Sequence, residues 1–273
     1  MTPEELATLV GIAAEAAELV LRIYETPFHV DYKGPLDPVT EADRAANELI
    51  CQRLETAFPG TPVVAEESPP SRFSDFRKSH RVFFVDPIDG TREYVARNGE
   101  FVVMIGVLEG DQATASVIHA PVTGVAWVGL VGYGAFELGA NGQRTSIRVS
   151  NAATLADSRI VSSRSHRTSE LERVLAALGA REVIQQGSAG LKGALVARAE
   201  AEAHVAPHYA GQRWDVCPTD ALVSAAGGRV TDAYGKQIDY RAESLANDSG
   251  VVASNGLVHD ALLEHLARAR SEA

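Results

Sequence analysis

Two aspartates that follow an apolar run carry the strongest chemical signal in the chain. Residues 82–85 are apolar, and Asp86, Asp89, Gly90 and Thr91 come directly after them. The end of a strand is rigid and open, so ligand-binding side chains are common there. The carboxylates could bind a divalent cation, and a helix that begins at Thr91 would offer free N–H groups to a phosphate beside it. A polar turn would explain an isolated pair of aspartates, but the whole string favours a functional site.

Other acidic residues could complete such a site, because a divalent cation needs several hard oxygen ligands from different segments. Glu66 follows a short apolar strand, and Asp215 lies near the start of a helix expected at residues 218–226. Asp215 could instead cap that helix or lie just before it. Thr40 and Asp43 have the spacing of a capping box, which would explain both structurally. Alternatively, Asp43 faces the metal site from the helix N-terminus.

Composition limits the classes of partner. The chain has 273 residues, a formal net charge of −11 and two cysteines. Nucleic-acid-binding proteins usually carry the opposite charge, so we expect no nucleic acid polymer as partner, whereas bound cations could still attract an anionic metabolite. We recognise no apolar run of membrane-spanning length and no secretory signal. Two distant cysteines indicate neither a disulfide framework nor a zinc site, and they fit the cytoplasm.

The elements that must position these residues follow from hydrophobic periodicity. Helices are expected after the capping box of Thr2 and Glu5 and again from Thr40. The middle of the chain changes to strands, including a hairpin over residues 101–119, and strands and helices alternate after residue 150. We therefore expect an α+β N-terminal lobe, residues 1–150, with most metal ligands. An α/β C-terminal lobe, residues 151–273, would carry Asp215 and the residues that determine substrate specificity.

The motifs resemble those of a known superfamily. Residues 86–94 (DPIDGTREY), Trp214-Asp215 and residues 225–228 (AAGG) are similar to the signatures of the inositol monophosphatase superfamily, in the same order, and the similarity extends from Asp37 to about Ala253. The resemblance implies a layered α-β-α-β-α sandwich and a phosphatase that depends on two or three Mg²⁺ ions. It also implies a small phosphorylated metabolite as substrate, and a monomer or a homodimer.

Four segments are more similar to one branch, the 3′(2′),5′-bisphosphate nucleotidases. These are residues 92–101, 163–166 (SRSH), 187–192 (GSAGLK) and 213–217 (RWDVC). That branch removes the 3′-phosphate from adenosine 3′,5′-bisphosphate. The chain departs from the family pattern at Ala65, Val216 and Pro218, which leaves the chemistry in place and makes the substrate less certain.

The resemblance also implies roles for individual residues. The metal ligands would be Glu66, Asp86, Asp89, Asp215 and the carbonyl of Ile88. Thr91, with Glu66 or Asp43, would orient and deprotonate the attacking water, and the N–H groups of Gly90 and Thr91 would hold phosphate oxygens. The rest of the substrate would contact a further set: His166, Ser188, Lys192, Arg213 and Asp215. For Lys192, an exposed position on a helix is the structural alternative.

Other functions stay open at this point. Within the same chemistry they are an inositol-1-phosphatase, a fructose-1,6-bisphosphatase or a histidinol-phosphatase. A non-catalytic protein that senses a phosphorylated metabolite belongs to another class. A purely structural protein would leave the acidic residues unexplained.

Overall fold

The computed structural model describes residues 1–34, 37–165 and 167–271. The N-terminal elements are helix α1 (Pro3–Tyr24), a hairpin of β1 (Val30–Gly34) and β2 (Asp37–Thr40), and helix α2 (Glu41–Ala57). The capping boxes expected at Thr2 and Thr40 are both present, and they determine where α1 and α2 begin.

The next elements form the larger sheet. Its strands are β3 (Val63–Ala65), β4 (Arg81–Asp89), β5 (Val102–Glu109), β6 (Gln112–Ala120), β7 (Val125–Leu130), β8 (Gly134–Leu138) and β9 (Arg144–Ile147), with the short helix α3 (Thr91–Val95) after β4. They pair in chain order. The β3–β4 pair is parallel and the other pairs are antiparallel. The hairpin expected over residues 101–119 is confirmed as β5–β6.

The second half of the chain forms the smaller sheet and its helices. The strands are β10 (Arg159–Ser163), β11 (Glu182–Gln186), β12 (Ala203–Ala206), β13 (Arg229–Thr231) and β14 (Val251–Ser254), in the order β11-β10-β12-β14-β13. The helices are α4 (Ser169–Ala177), α5 (Ala189–Ala197), α6 (Arg213–Ala225) and α7 (His259–Ser271). None of the described helices combines the length and the apolar character that a membrane crossing requires.

The layers follow from which faces are apolar. Helices α1 and α2 pack on one face of the larger sheet, α5 and α6 lie between the two sheets, and α4 and α7 cover the outer face of the smaller sheet. The α-β-α-β-α sandwich is therefore confirmed. The division into lobes at residue 150 stays a prediction, because α6 packs on both sheets.

Strand β4 is longer than its apolar run suggested. The expected strand ended at Val85, whereas β4 continues through Asp86 to Asp89. Its pairing with β5 is irregular between these two aspartates, where Pro87 has no N–H to donate. The strand thus carries both acidic side chains itself instead of delivering them to a following turn.

Candidate active site

Asp86, Asp89 and Asp215 bring their carboxylates together from distant parts of the chain. One carboxylate oxygen of each lies within 4.8 Å of the others. Strand β4 supplies the first two and helix α6 the third. Hard oxygen donors that converge in this way are the ligands that Mg²⁺ and Ca²⁺ prefer.

The backbone around β4 and α5 orients the two aspartates of the strand. The Ile88 N–H donates to Asp86 Oδ1 at 3.0 Å. Asp89 Oδ2 accepts the Ser188 hydroxyl at 2.5 Å and the Gly190 N–H at 2.7 Å. The other Asp89 oxygen has no such donor among the described residues, so it is free to face a cation.

Asp215 lies inside the first turn of α6. The helix begins at Arg213, and Asp215 Oδ2 accepts the Gln212 N–H at 2.5 Å. The expectation that the helix starts at Pro218 was wrong, because this capping interaction starts it earlier. Pro218 is tolerated inside the helix, and Gly106 of β5 leaves the space that its ring needs: a Cβ there would lie 2.9 Å from Pro218 Cδ.

Glu66 follows β3 and lies beside this group of aspartates, not inside it. Its Oε1 accepts the Lys33 ammonium at 2.8 Å, and the same ammonium reaches Glu67 Oε1 at 2.6 Å. Burial, with the nearby Asp215 charge, raises the pKa of Glu66 to about 8. Sequence reasoning missed Lys33, because a lysine in a hairpin outside every motif carries no signal of its own.

Burial and mutual repulsion raise the pKa values of the site carboxylates. Burial is the main cause for Asp86, whose pKa lies well above its ordinary value, and the Glu66, Asp215 and Asp89 charges raise it further. The pKa of Asp215 rises to about 7, again through burial first and the Asp89 charge second. Buried carboxylates that repel one another gain most from a bound cation. The donor set therefore fits a divalent metal ion.

Asp43 serves both as a helix cap and as a partner of Thr91. Its Oδ2 accepts the Thr40 N–H at 2.7 Å and the Thr40 hydroxyl at 2.6 Å. Its Oδ1 accepts the Thr91 hydroxyl at 3.1 Å, and that hydroxyl also lies 3.1 Å from the Ile88 carbonyl oxygen. Burial raises the pKa of Asp43 to about 6. The two interpretations of Asp43, as a cap and as a site residue, are thus compatible.

Gly90 makes the turn from β4 into α3. Its φ of 100° is unfavourable for any other residue, and a Cβ would lie 2.9 Å from the Glu100 carbonyl oxygen. The turn brings the first N–H groups of α3 to the end of β4. That the Gly90 and Thr91 N–H groups hold a phosphate stays a prediction.

The residues expected to contact the rest of the substrate have different surroundings. Ser188 and Lys192 are each 6% exposed. Ser188 bonds to Asp89, and the Lys192 ammonium donates to the Ser188 carbonyl at 2.7 Å, so Lys192 is not an exposed helix lysine. Arg213 is half-buried, and burial lowers its pKa. His166 lies outside the described residues. Substrate contact by these four side chains stays a prediction.

Two glutamates after β4 connect it to the second half of the chain. Arg164 donates to both Glu100 oxygens at 2.9 and 2.6 Å, and the Gly187 N–H donates to Glu100 Oε2 at 2.7 Å. The Ser165 hydroxyl donates to Glu93 Oε1. The family motif was the sequence signal for both glutamates, but it did not indicate their partners.

Comparison with known proteins identifies the family of the chain. The model of the inositol monophosphatase family matches residues 2–273. The chain is 35% identical over 232 residues to the 3′(2′),5′-bisphosphate nucleotidase CysQ of Escherichia coli K12, covering 84% of this chain and 91% of that protein.

Solved structures of the same kind share the fold. The IMPase of Thermotoga maritima superposes with a TM-score of 0.83 at 26% identity, covering 98% of this chain and 99% of that one. CysQ from Bacteroides thetaiotaomicron superposes with a TM-score of 0.77 at 29% identity, covering 92% and 97%. With a family match over almost its whole length and an acidic cluster that fits a metal ion, the chain belongs to the inositol monophosphatase family and is a phosphatase that acts on small phosphorylated substrates.

Proposed function

We propose that this phosphatase is a Mg²⁺-dependent 3′(2′),5′-bisphosphate nucleotidase that converts adenosine 3′,5′-bisphosphate to AMP and phosphate. The observation that supports this substrate is the 35% identity to a CysQ nucleotidase over 232 residues. The aspartate cluster supports the chemistry, but it would serve any phosphomonoester. Substrate and chemistry therefore rest on separate observations.

Asp86, Asp89, Asp215, Glu66 and the Ile88 carbonyl would hold the Mg²⁺ ions, two or three in number. When bound, Mg²⁺ would supply charge neutralisation for the phosphoester and would lower the pKa of water. The protein side of the site is rigid, since Asp86 and Asp89 lie on a strand within the larger sheet.

The side chains of Thr91 and Asp43 would orient and deprotonate the attacking water. The Thr91 hydroxyl donates to Asp43 Oδ1, so a proton from a water bound to Thr91 can pass towards this carboxylate. A base with a pKa of about 6 is suited to a reaction near neutral pH. Water would attack phosphorus directly, and no phosphoenzyme would form.

An inositol-1-phosphatase is the second candidate. The observation in its favour is the TM-score of 0.83 with the Thermotoga maritima IMPase. Shared fold does not determine the substrate, which depends on side chains around a common metal site. For this reason we place the nucleotidase first.

A substrate panel tests the proposal. Phosphate release would be measured from adenosine 3′,5′-bisphosphate, inositol 1-phosphate, fructose 1,6-bisphosphate and histidinol phosphate, each with Mg²⁺ and with EDTA. We expect the highest kcat/KM for adenosine 3′,5′-bisphosphate and no turnover in EDTA. An equal or higher kcat/KM for inositol 1-phosphate would reject the substrate assignment. Asp89→Asn protein, purified in parallel, controls for contaminating phosphatases.

A further inference from the structure

Lys192 is a buried lysine on which the charges of the aspartate cluster act. It is the fourth residue of α5 and only 6% exposed, although lysine is seldom buried without partners. Its ammonium donates to the Ser188 carbonyl at 2.7 Å. The carboxylates that act on it electrostatically are Asp89, Glu93, Asp215 and Glu100, and they oppose the lowering of its pKa by burial.

Ser188 is held in a conformation that it would not adopt by itself. Its φ is 58° and ψ is 133°, outside the regions that a residue with a Cβ prefers. Such a backbone persists only where its surroundings impose it. The Lys192 ammonium bonds to the carbonyl of this same residue, so it is one of the contacts that keep the Ser188 backbone in place.

The turn at Ser188 directs two hydrogen-bond donors at the Asp89 carboxylate. The Ser188 hydroxyl and the Gly190 N–H both donate to Asp89 Oδ2, at 2.5 and 2.7 Å. The segment cannot shift easily, because a Cβ on Gly190 would already lie 2.6 Å from Met104 Sδ. Asp89 is thereby held by Ser188 and Gly190, and the Ser188 carbonyl in turn accepts the Lys192 ammonium.

We propose that Lys192 is a positioning residue: it holds Ser188 in place, and Ser188 holds the Asp89 carboxylate in the orientation that binds metal. This role differs from direct contact with a second phosphate of the substrate. It goes beyond the proposed function, because it applies to any phosphomonoester hydrolysed at this site. Failure of the positioning role can therefore be distinguished from failure of the proposed substrate assignment.

The kinetic test compares two substrates. Lys192→Met removes the ammonium and keeps the approximate length of the side chain. We expect kcat to fall about 10- to 100-fold on both adenosine 3′,5′-bisphosphate and inositol 1-phosphate, the range for side chains that orient a metal ligand, with KM little changed. A rise of KM for the bisphosphate alone would overturn the proposal and show that Lys192 binds the second phosphate. Lys236→Met, at an exposed lysine, is the matched control.

Metal binding gives a readout that does not depend on turnover. Calorimetric titration of the apo-protein with Mg²⁺ should show about 10-fold weaker binding for Lys192→Met than for the parent protein. Removal of a nearby positive charge would by itself strengthen Mg²⁺ binding. Tighter binding in the variant would therefore overturn the proposal, since it would mean that charge outweighs positioning.

Ser188→Gly keeps the test decisive if the lysine variant does not fold. Glycine relieves the positive φ and still tolerates the N-cap position, but it lacks the hydroxyl that bonds Asp89. We expect the variant to keep or raise its Tm while Mg²⁺ binding weakens. Unchanged Mg²⁺ affinity would show that the turn does not orient Asp89. The double variant of Lys192→Met and Ser188→Gly tests whether the two residues act together. If its loss of Mg²⁺ affinity equals the product of the two single losses, the residues act independently and the proposed coupling is rejected.

Discussion

Asp43 and Asp215 occupy the same local position, the third residue of a helix, in α2 and α6. In each case the carboxylate accepts the N–H of the residue that caps the helix, Thr40 or Gln212. A carboxylate has two oxygens with several acceptor sites, so one oxygen can satisfy the helix N-terminus while the other faces the site. Evidence that such an aspartate caps a helix is therefore no evidence against a functional role.

Asp89→Asn tests the cluster at the scale of one residue. The amide has nearly the same size and keeps an oxygen for Ser188 and Gly190, but it loses the negative charge that a metal needs. We expect kcat to fall more than about 100-fold, beyond the usual effect of residues that only orient a ligand. Steady-state kinetics and circular dichroism would measure activity and folding.

The control for that variant is Asp239→Asn, because Asp239 is exposed. Folded Asp89→Asn protein with parental kcat would contradict the metal site. Absence of phosphate release from the folded parent protein would instead favour the interpretation of the chain as a protein that binds a phosphorylated metabolite without hydrolysing it.

The raised pKa values predict how pH changes stability and metal binding. The pKa is about 8 for Glu66 and about 7 for Asp215, so the folded apo-protein binds more protons than the unfolded chain at neutral pH. Their contribution to stability is therefore lost as pH rises towards 8. Mg²⁺ competes with these protons, so its stabilising effect should grow over the same window. His204 and His259 have lowered pKa values of about 3 and 4, so they reduce stability only as pH falls below 6.5, the ordinary pKa of histidine. They therefore do not affect the trend above that pH.

Thermal denaturation measures this prediction. The Tm difference between Mg²⁺ and EDTA samples should increase between about pH 6.5 and 8, the interval that contains the raised pKa values. In Glu66→Gln the increase should be smaller, because the residue with the higher pKa of the two no longer titrates. A difference that stays constant or shrinks with pH would contradict the assignment of protons to these carboxylates.

At the scale of elements, the position of α6 depends on small residues in the sheet beneath it. Gly106, Ser116 and Gly129 are aligned across β5, β6 and β7. A Cβ on Gly106 would lie 2.7 Å from the Pro218 nitrogen, and one on Gly129 would lie 2.9 Å from Leu222 Cα. The helix that carries Asp215 can approach the strand that carries Asp86 and Asp89 only because these side chains are absent or small.

Gly106→Ala should move that helix. Overpacking of this kind costs about 1–3 kcal/mol in the free energy of unfolding. We expect a lower Tm and weaker Mg²⁺ binding together, because Asp215 would be displaced from the other two aspartates. Denaturant unfolding and Mg²⁺ calorimetry would measure the two effects.

Gly11→Ala provides the matched control for the helix shift. Gly11 is exposed in α1, and a Cβ there would meet nothing within 4 Å. Alanine should raise stability by up to about 1 kcal/mol through helix propensity and leave Mg²⁺ binding unchanged. If Gly106→Ala behaved like Gly11→Ala, the close approach of α6 would not determine the geometry of the site.

At the scale of the whole molecule, Arg241 joins the two halves of the chain. Its guanidinium donates to the Arg77 carbonyl at 2.7 Å, the Gly110 carbonyl at 2.5 Å and Asp111 Oδ1 at 2.9 Å. Arg77 in turn donates to the Ala242 carbonyl at 3.0 Å. These bonds cross from the loop before β14 to the segment before β4 and to the turn between β5 and β6. An assembly of one or two chains and a place in the cytoplasm remain predictions.

Arg241→Ala should loosen this connection without changing the chemistry. Hydrogen bonds from a charged donor contribute about 1.5–3 kcal/mol, which corresponds to a fall in Tm of about 3–10 °C for a chain of this size. We expect kcat with Mg²⁺ to stay within a factor of about two, because mutational effects at distant sites are nearly independent. Arg173→Ala, at an exposed position on α4, is the control. An unchanged Tm would show that the two halves are held together elsewhere.

The sequence by itself determined the candidate site residues and most of the elements. Caps, turns and periodicity act over a few residues, so α1, α2 and the β5–β6 hairpin could be predicted from local pattern. The acidic residues of the site could be named for a similar reason, because DPIDGT and Trp214-Asp215 are contiguous motifs. The family and the phosphatase chemistry followed from them.

Only the tertiary structure decided how those residues meet. Pro218 fits inside α6 because Gly106 in a distant strand leaves space for its ring, and the ion pair of Lys33 with Glu66 depends on a hairpin outside every motif. Lys192 was expected to contact the substrate, which stays a prediction, and only the packing of α5 shows that its side chain is almost entirely buried. Burial and charge pairing arise from contacts between segments far apart in the chain, and a local pattern contains no information about which segments those are.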